Sequence, residues 1–223
     1  IVAPPRQFIL NQCYQQGVAA FCDLITRRPT QTGSNSPGSL EFIDAPLVNG
    51  GALKVEGLDF VAQYRTGLGG LLPGWNASAR LAWTHILDAY VIPSPGAPRD
   101  PFDGEIGTAR NRVNGTVAVS NSRFGLSFTG TYIGKSYEDD QFLADYGLEP
   151  RTISIPAQFY LDAQATFTPT KSYELFVGVD NLLDNDAPNI LSGSPYNTTG
   201  ADTAADVYDI FGRRFYAGAR LRF

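Results

Sequence analysis

The sequence predicts an all-β protein, built as an antiparallel transmembrane β-barrel. From Ser39 onward apolar and polar residues alternate with a period of two, which gives a sheet two chemically different faces. Short turns and long loops rich in Pro, Gly, Asp and Asn follow one another in alternation. That is the sidedness of a membrane barrel, which a soluble sandwich usually lacks. No run approaches the roughly 20 apolar residues that a membrane helix needs, whereas a barrel strand is apolar only at every second position.

The first part, residues 1–38, is set apart from this pattern. Ile1 to Arg6 lacks the basic start and long apolar stretch of a signal peptide, so an export signal is expected upstream. Phe8 to Thr26 reads as a short helix or a structured loop pinned by Cys13 and Cys22. The segment is expected to be an external loop, or else a small element packed against the sheet. The C-x8-C spacing and the distant single histidine, His85, do not make a four-ligand zinc site. A local disulfide in an oxidising compartment and a pair of free thiols are both compatible with the spacing, and the disulfide is the expectation.

Residues 39–223 hold the strands. In the first, Leu53 and Val55 are apolar at odd positions, but Leu58, Phe60, Ala62 and Tyr64 at even ones. Gly57 sits at the change, and a bulge there would restore the face. A Gly/Pro turn at 67–74 leads to Trp75, Ala77, Ala79, Leu81 and Trp83, alternating with Asn76, Ser78, Arg80 and Thr84. After a loop at 91–109 come Val113, Val117 and Val119, the turn at Asn121-Ser122, and Phe124, Leu126 and Phe128. A second loop, 138–157, precedes Phe159, Leu161, Ala163, Ala165 and Phe167, which alternate with Tyr160, Asp162, Gln164 and Thr166. Phe159, Leu161 and Phe167 are expected to face lipid, and Asp162 and Gln164 the lumen. The turn at 169–171 and a third loop at 184–212 bracket the next strand. The last strand alternates Phe215, Ala217, Ala219, Leu221 and Phe223 with Tyr216, Gly218, Arg220 and Arg222.

Composition excludes several functions. A net charge of −5 with scattered arginines makes a poor nucleic-acid binder. The single histidine leaves a Ser-His-Asp or Cys-His arrangement nothing but His85 to centre on, and His85 reads as an ordinary strand residue. No P-loop is present. Glu138, Asp139 and Asp140, and separately Asp202, Asp206 and Asp209, lack the spacing of a calcium loop and read as solvated acidic loops. No enzyme, cofactor or metal site is expected.

Three motifs carry a resemblance. Leu175 to Asp186, LFVGVDNLLDND, contains Asn181, Leu182, Leu183 and Asp184 after an apolar alternation. Tyr208 to Tyr216, YDIFGRRFY, places Gly212 and Arg213 before a final aromatic strand that stops at Phe223. Asn49-Gly50-Gly51-Ala52 runs into Gly57-Leu58-Asp59. In this order the motifs resemble the end of the barrel in TonB-dependent receptors, with Leu183 where Phe is commoner. The resemblance implies the carboxy-terminal portion of a barrel of roughly 22 strands. About seven strands follow Ser39, around a third of such a barrel. It also implies a bacterial outer-membrane location, import of a nutrient such as a metal chelate or carbohydrate, and partners in the remaining strands, the lipid, and TonB, reached through a plug domain that this sequence does not contain. Beside it stands a second class of function, a small complete barrel acting as an adhesin or structural protein. Physically, Asn181 and Asp184 suit the capping of turn amides, and Gly212 frees the backbone before the last strand.

Overall fold

The computed structural model describes residues 3–47, 49, 51–93, 97–200 and 202–222. Phe223, and Gly50 of the third motif, lie outside them. The elements in chain order are α1 (Arg6–Tyr14), α2 (Ala19–Cys22), β1 (Ile25–Arg27), β2 (Leu40–Ile43), β3 (Ala52–Gly67), β4 (Asn76–Ile92), β5 (Asp100–Pro101), β6 (Asn111–Ser120), β7 (Phe124–Ile133), β8 (Ser136–Tyr137), α3 (Asp140–Asp145), β9 (Ser154–Ile155), β10 (Gln158–Thr170), β11 (Tyr173–Asp180) and β12 (Arg214–Leu221). Contacts divide them into two units: Ile1–Lys54 with Tyr90–Pro101, and Val55–Ala89 with Phe102–Phe223.

In the first unit a bridge joins Cys13 of α1 to Cys22 of α2, with Cα atoms 4.8 Å apart. The rings of Phe8 and Phe21 meet edge to face at 5.5 Å, and Ile9 is fully buried. Arg27 of β1 donates two hydrogen bonds to Tyr14 Oη, at 3.1 and 2.7 Å. β1 pairs antiparallel with β2.

The second unit is dominated by an antiparallel sheet in the order β12-β11-β10-β7-β6-β4-β3, in which each long strand neighbours the next in the chain. This up-and-down order follows from the connections. Tight turns at 68–75, 121–123 and 171–172 alternate with long connections at 93–110, 134–157 and 181–213. Asn121 closes one tight turn by accepting from Arg123 N–H and Phe124 N–H at 2.8 Å each.

Register makes the two faces explicit. One row crosses six strands as Ala79, Val117, Phe128, Ala163, Val179 and Phe215. The adjacent row, one residue along, reads Arg80, Thr116, Thr129 and Asp162, on the other face. Most of the apolar row stands uncovered, Val117 56% and Phe215 79% exposed. A sheet that turns its large apolar side chains outward has the chemistry of a surface bathed in hydrocarbon.

The sheet is open. β3 and β12 are the ends of the strand order and each carries an edge without a sheet partner among the described residues.

The expected bulge at Gly57 is replaced by a close approach. Leu68 N–H donates to Trp75 C=O, Thr84 Oγ1 donates to Asp59, and Gly57 lies against His85 and Ile86, all in one offset. Gly51 against Ile92 keeps that offset. A side chain at Gly57 would bring its Cβ to 2.6 Å from the His85 carbonyl oxygen, so glycine is required by contact with the neighbouring backbone.

Candidate functional site: three loops packed over the polar face

At the long-loop end of the sheet the polar face becomes apolar. Ile133 of β7 and Tyr160 of β10 are buried there, together with Ile106, Ala109, Ile155, Ile190, Ala204 and Tyr208 from the connections. The three long loops therefore fold into a body with its own core. They also carry many backbone groups that no sheet satisfies, and side chains take up that work.

Two buried carboxylates join the third loop to the other two. Glu138 is fully buried. Its Oε1 accepts from Leu191 N–H at 2.8 Å and its Oε2 from Ser194 Oγ at 2.7 Å. Glu105, 4% exposed, accepts from Tyr196 Oη at 2.7 Å and from Asp140 N–H at 3.2 Å. Burial pushes the Glu105 carboxyl up to about 7; the hydrogen bonds from Tyr196 and Asp140 oppose the rise, and the charges of Asp139 and Asp140 add to it. A third buried carboxylate, Asp103, pairs with Arg110 and, at 3.3 Å, with Arg151. Asp139 caps α3 by accepting from Phe142 N–H at 2.6 Å.

The acidic run at 138–140 is thus not a solvated loop: Glu138 points inward and Asp139 caps a helix. Asp209 accepts from Phe211 N–H at 2.9 Å, shaping a turn. Among the described residues no group of three or more metal-ligating side chains converges. His85 sits beside Trp83; His85 Nδ1 lies 2.9 Å from Asn111 Oδ1, and Trp83 Nε1–H donates to the same oxygen at 3.1 Å.

The structure gathers Asn181, Leu182, Asp184, Gly212 and Arg213 into one knot between the end of β11 and the start of β12. Asn181 is buried with φ 51°, and its side chain exchanges two hydrogen bonds with the backbone of Asn185. Asp184, at φ 60°, accepts from Arg213 N–H at 2.9 Å. Arg213 Nε donates to the Leu182 carbonyl at 3.0 Å. Gly212 has φ 68°, a left-handed conformation open to glycine at no steric cost. These contacts are made with turn backbone and with one another.

No local signal in the sequence marks Glu105, Tyr196, Ser194 or Leu191, because each bonds to a residue on another loop.

Lower on the polar face, glycines lie beneath aromatic rings. Phe176 of β11 covers Gly218 of β12, and Tyr216 of β12 covers Gly178 of β11. Gln164 holds Tyr216 Oη at 3.1 Å. Beside β3, β4 and β6, a recess of about 210 Å³ is lined by Gln63, Arg65, Ser78, Ala79, Arg80 and Thr116. An apolar hollow of about 430 Å³ lies over Gly115 and Gly130 on the opposite face, bordered by Leu81, Phe128, Phe159 and Leu161.

Among known families, the model described as "TonB dependent receptor-like, beta-barrel" matches residues 21–182. No curated protein matches. Among solved structures, two variants of the ferric enterobactin receptor PfeA from Pseudomonas aeruginosa are similar, each at 22% identity and a TM-score of 0.47. The matches cover 76% of this chain and 22% of the receptor, so the chain spans about a fifth of the length of the structures it matches.

Proposed function

Because this chain belongs to the TonB-dependent receptor β-barrel family, we propose that it forms part of the wall of a receptor that imports a nutrient across a bacterial outer membrane. The observation that carries the reading is the division of labour in one sheet. The apolar row from Ala79 to Phe215 meets lipid. The polar row from Arg80 to Asp162 lines the interior. Three loops with a core of their own roof the interior at one end. Capture falls to the loop body and the polar face, and energy arrives from TonB through a plug domain seated inside the barrel. The nutrient is a metal chelate or a carbohydrate; polar loops rich in Tyr, Asn and Asp suit either.

The alternative, a small complete barrel serving as adhesin or structural protein, needs β3 to pair with β12. The open strand order gives it no support.

The test is uptake by cells that make the intact receptor, with and without a functional TonB. Radiolabelled ferric chelates and oligosaccharides are offered in parallel. TonB-dependent accumulation of one class supports the reading. Correct outer-membrane insertion with no TonB-dependent uptake of any solute overturns it.

A further inference from the structure

We propose that the hollow over Gly115 and Gly130 binds one acyl chain of a membrane lipid, whose head is held at Trp83, His85 and Asn111. The inference rests on the reading of the apolar face as the one that meets lipid.

The strand glycines divide by what a side chain would meet. At Gly178 and Gly218 an aromatic ring already fills the space, and at Gly57 a backbone carbonyl does. Gly115, in the middle of β6, is different. Its Cβ would meet Leu81 Cδ1 at 3.5 Å and the Arg80 carbonyl oxygen at 3.8 Å, ordinary contact distances. Nor does Gly115 adopt a positive φ. Glycine inside a strand weakens it, and here neither conformation nor crowding requires one. What it provides is open space beside the backbone, the mark of a group that approaches closely. Register sets Gly115 directly opposite Gly130, with Leu81 and Leu161 as their outer partners. The two glycines are the floor of the hollow, and Leu81, Val117, Phe128, Phe159 and Leu161 are its walls. The strands that carry them, β4, β6, β7 and β10, each have a neighbour on both sides, so this relief belongs to the interior of the sheet and not to an edge.

The occupant is read from the two directions along the strands. Toward the tight turns the face stays apolar, through Val119 and Leu126 to the stacked rings of Phe124 and Phe167. Toward the long loops it turns polar. Trp83 Nε1–H and His85 Nδ1 converge on Asn111 Oδ1, and Tyr132 stands in the same cross-strand row as Trp83. Asn111 is four residues from Gly115 on β6, roughly 13 Å along a strand. Aromatic side chains with a polar tip mark the level at which lipid chains meet their heads. An apolar hollow with a polar cluster above it on one side is complementary to an amphiphile. The chain fills the hollow, and the ester oxygens at its head accept from the Asn111 amide and the Tyr132 hydroxyl. The outer wall of a second barrel is convex and apolar at this depth, so it matches neither feature.

The experiment uses the intact receptor, reconstituted into phosphatidylethanolamine vesicles that carry a fraction of the same lipid with a diazirine midway along one chain. The expected adduct is enriched severalfold on β6 and β7 around Gly115 relative to Leu175 and Val177, which are exposed on the same face of β11. Gly115→Leu fills the hollow and abolishes the enrichment, whereas Val119→Leu, on the same face outside it, leaves the enrichment intact. H85A/N111A lowers it severalfold in a receptor whose heat-modifiable migration is unchanged. Should Gly115→Leu fail to insert, Gly115→Ala is read instead, with a partial loss expected. In native outer membranes, a photo-crosslinking benzoylphenylalanine in place of Leu81 is expected to give an adduct with lipid. Labelling spread evenly over the apolar face, or unmoved by the Gly115 and H85A/N111A changes, overturns the proposal. So does a protein adduct at Leu81, since the occupant is then a second barrel or another protein. An inserted receptor that takes no chain label anywhere on this face sinks the reading of the face as lipid-facing. Even labelling sinks this inference alone.

Discussion

Tyr196 donates its phenolic hydrogen to Glu105 at 2.7 Å, across a separation of 91 residues. With Glu138 and Ser194 it makes the third loop part of the same body as the first two. The loops over this sheet are therefore a packed structure held by buried polar contacts, and buried polar contacts of this kind are sensitive to protonation and to deletion.

Glu105 ties the loop body to pH. Its folded carboxyl titrates near 7, above the ordinary carboxylate value of 4.5. The neutral form is the one the folded protein prefers. Its contribution to stability is complete below about 4.5 and is lost as pH climbs to about 7. The opening free energy of the amides around Tyr196, taken from hydrogen exchange after the intrinsic rise of amide exchange with pH is divided out, is expected to fall over that window. Glu105→Gln, uncharged at every pH, flattens the dependence. An unchanged slope in the variant shows that another group titrates.

The cross-cover of Gly178 and Gly218 sets a second prediction. Gly178→Ala drives a methyl group into the Tyr216 ring, displaces it, and breaks its bond with Gln164. The cost is about 1–3 kcal/mol, as for overpacking elsewhere. Tyr216→Phe keeps the cover and loses only the hydrogen bond, about 0.5–1.5 kcal/mol. Unfolding in urea from lipid vesicles ranks the two, and an equal effect would falsify the steric account.

Leu161 tests orientation. It shares the apolar face with Phe159 and Phe128 and borders the hollow over Gly130. Leu161→Arg is expected to destabilise the barrel by roughly 2–4 kcal/mol near the bilayer midplane. A spin label at the same position reports lipid-soluble oxygen in preference to a water-soluble relaxant. The reverse preference shows that the faces have been assigned the wrong way round.

Cys13 and Cys22 answer to chemistry alone. Maleimide applied to the unfolded, unreduced protein is expected to label neither, and after reduction both. Labelling without reductant means that the native thiols are free. Reduction is also expected to expose the segment around α1 and α2 to protease, because a helix of four residues such as α2 has little stability of its own.

What the sequence determined by itself was the strand pattern and its sidedness. Ala79 and Arg80 already announce opposite faces, since the period of two is a local property of extended backbone. The alternation of tight and long connections is equally local, and it dictates the up-and-down order. The knot at Asn181 was half legible: the residue types spoke of turn capping, but the reach of Arg213 back to Leu182 did not. Tertiary structure alone decided that Glu138, in an acidic run that reads as solvated, is fully buried. It also decided that Gly57 serves a close approach to His85 rather than a bulge. The reason is physical. Burial and charge pairing depend on which distant segment arrives, and the loops find one another only through an apolar core, Ile106 to Tyr208, assembled from residues scattered over about half the chain.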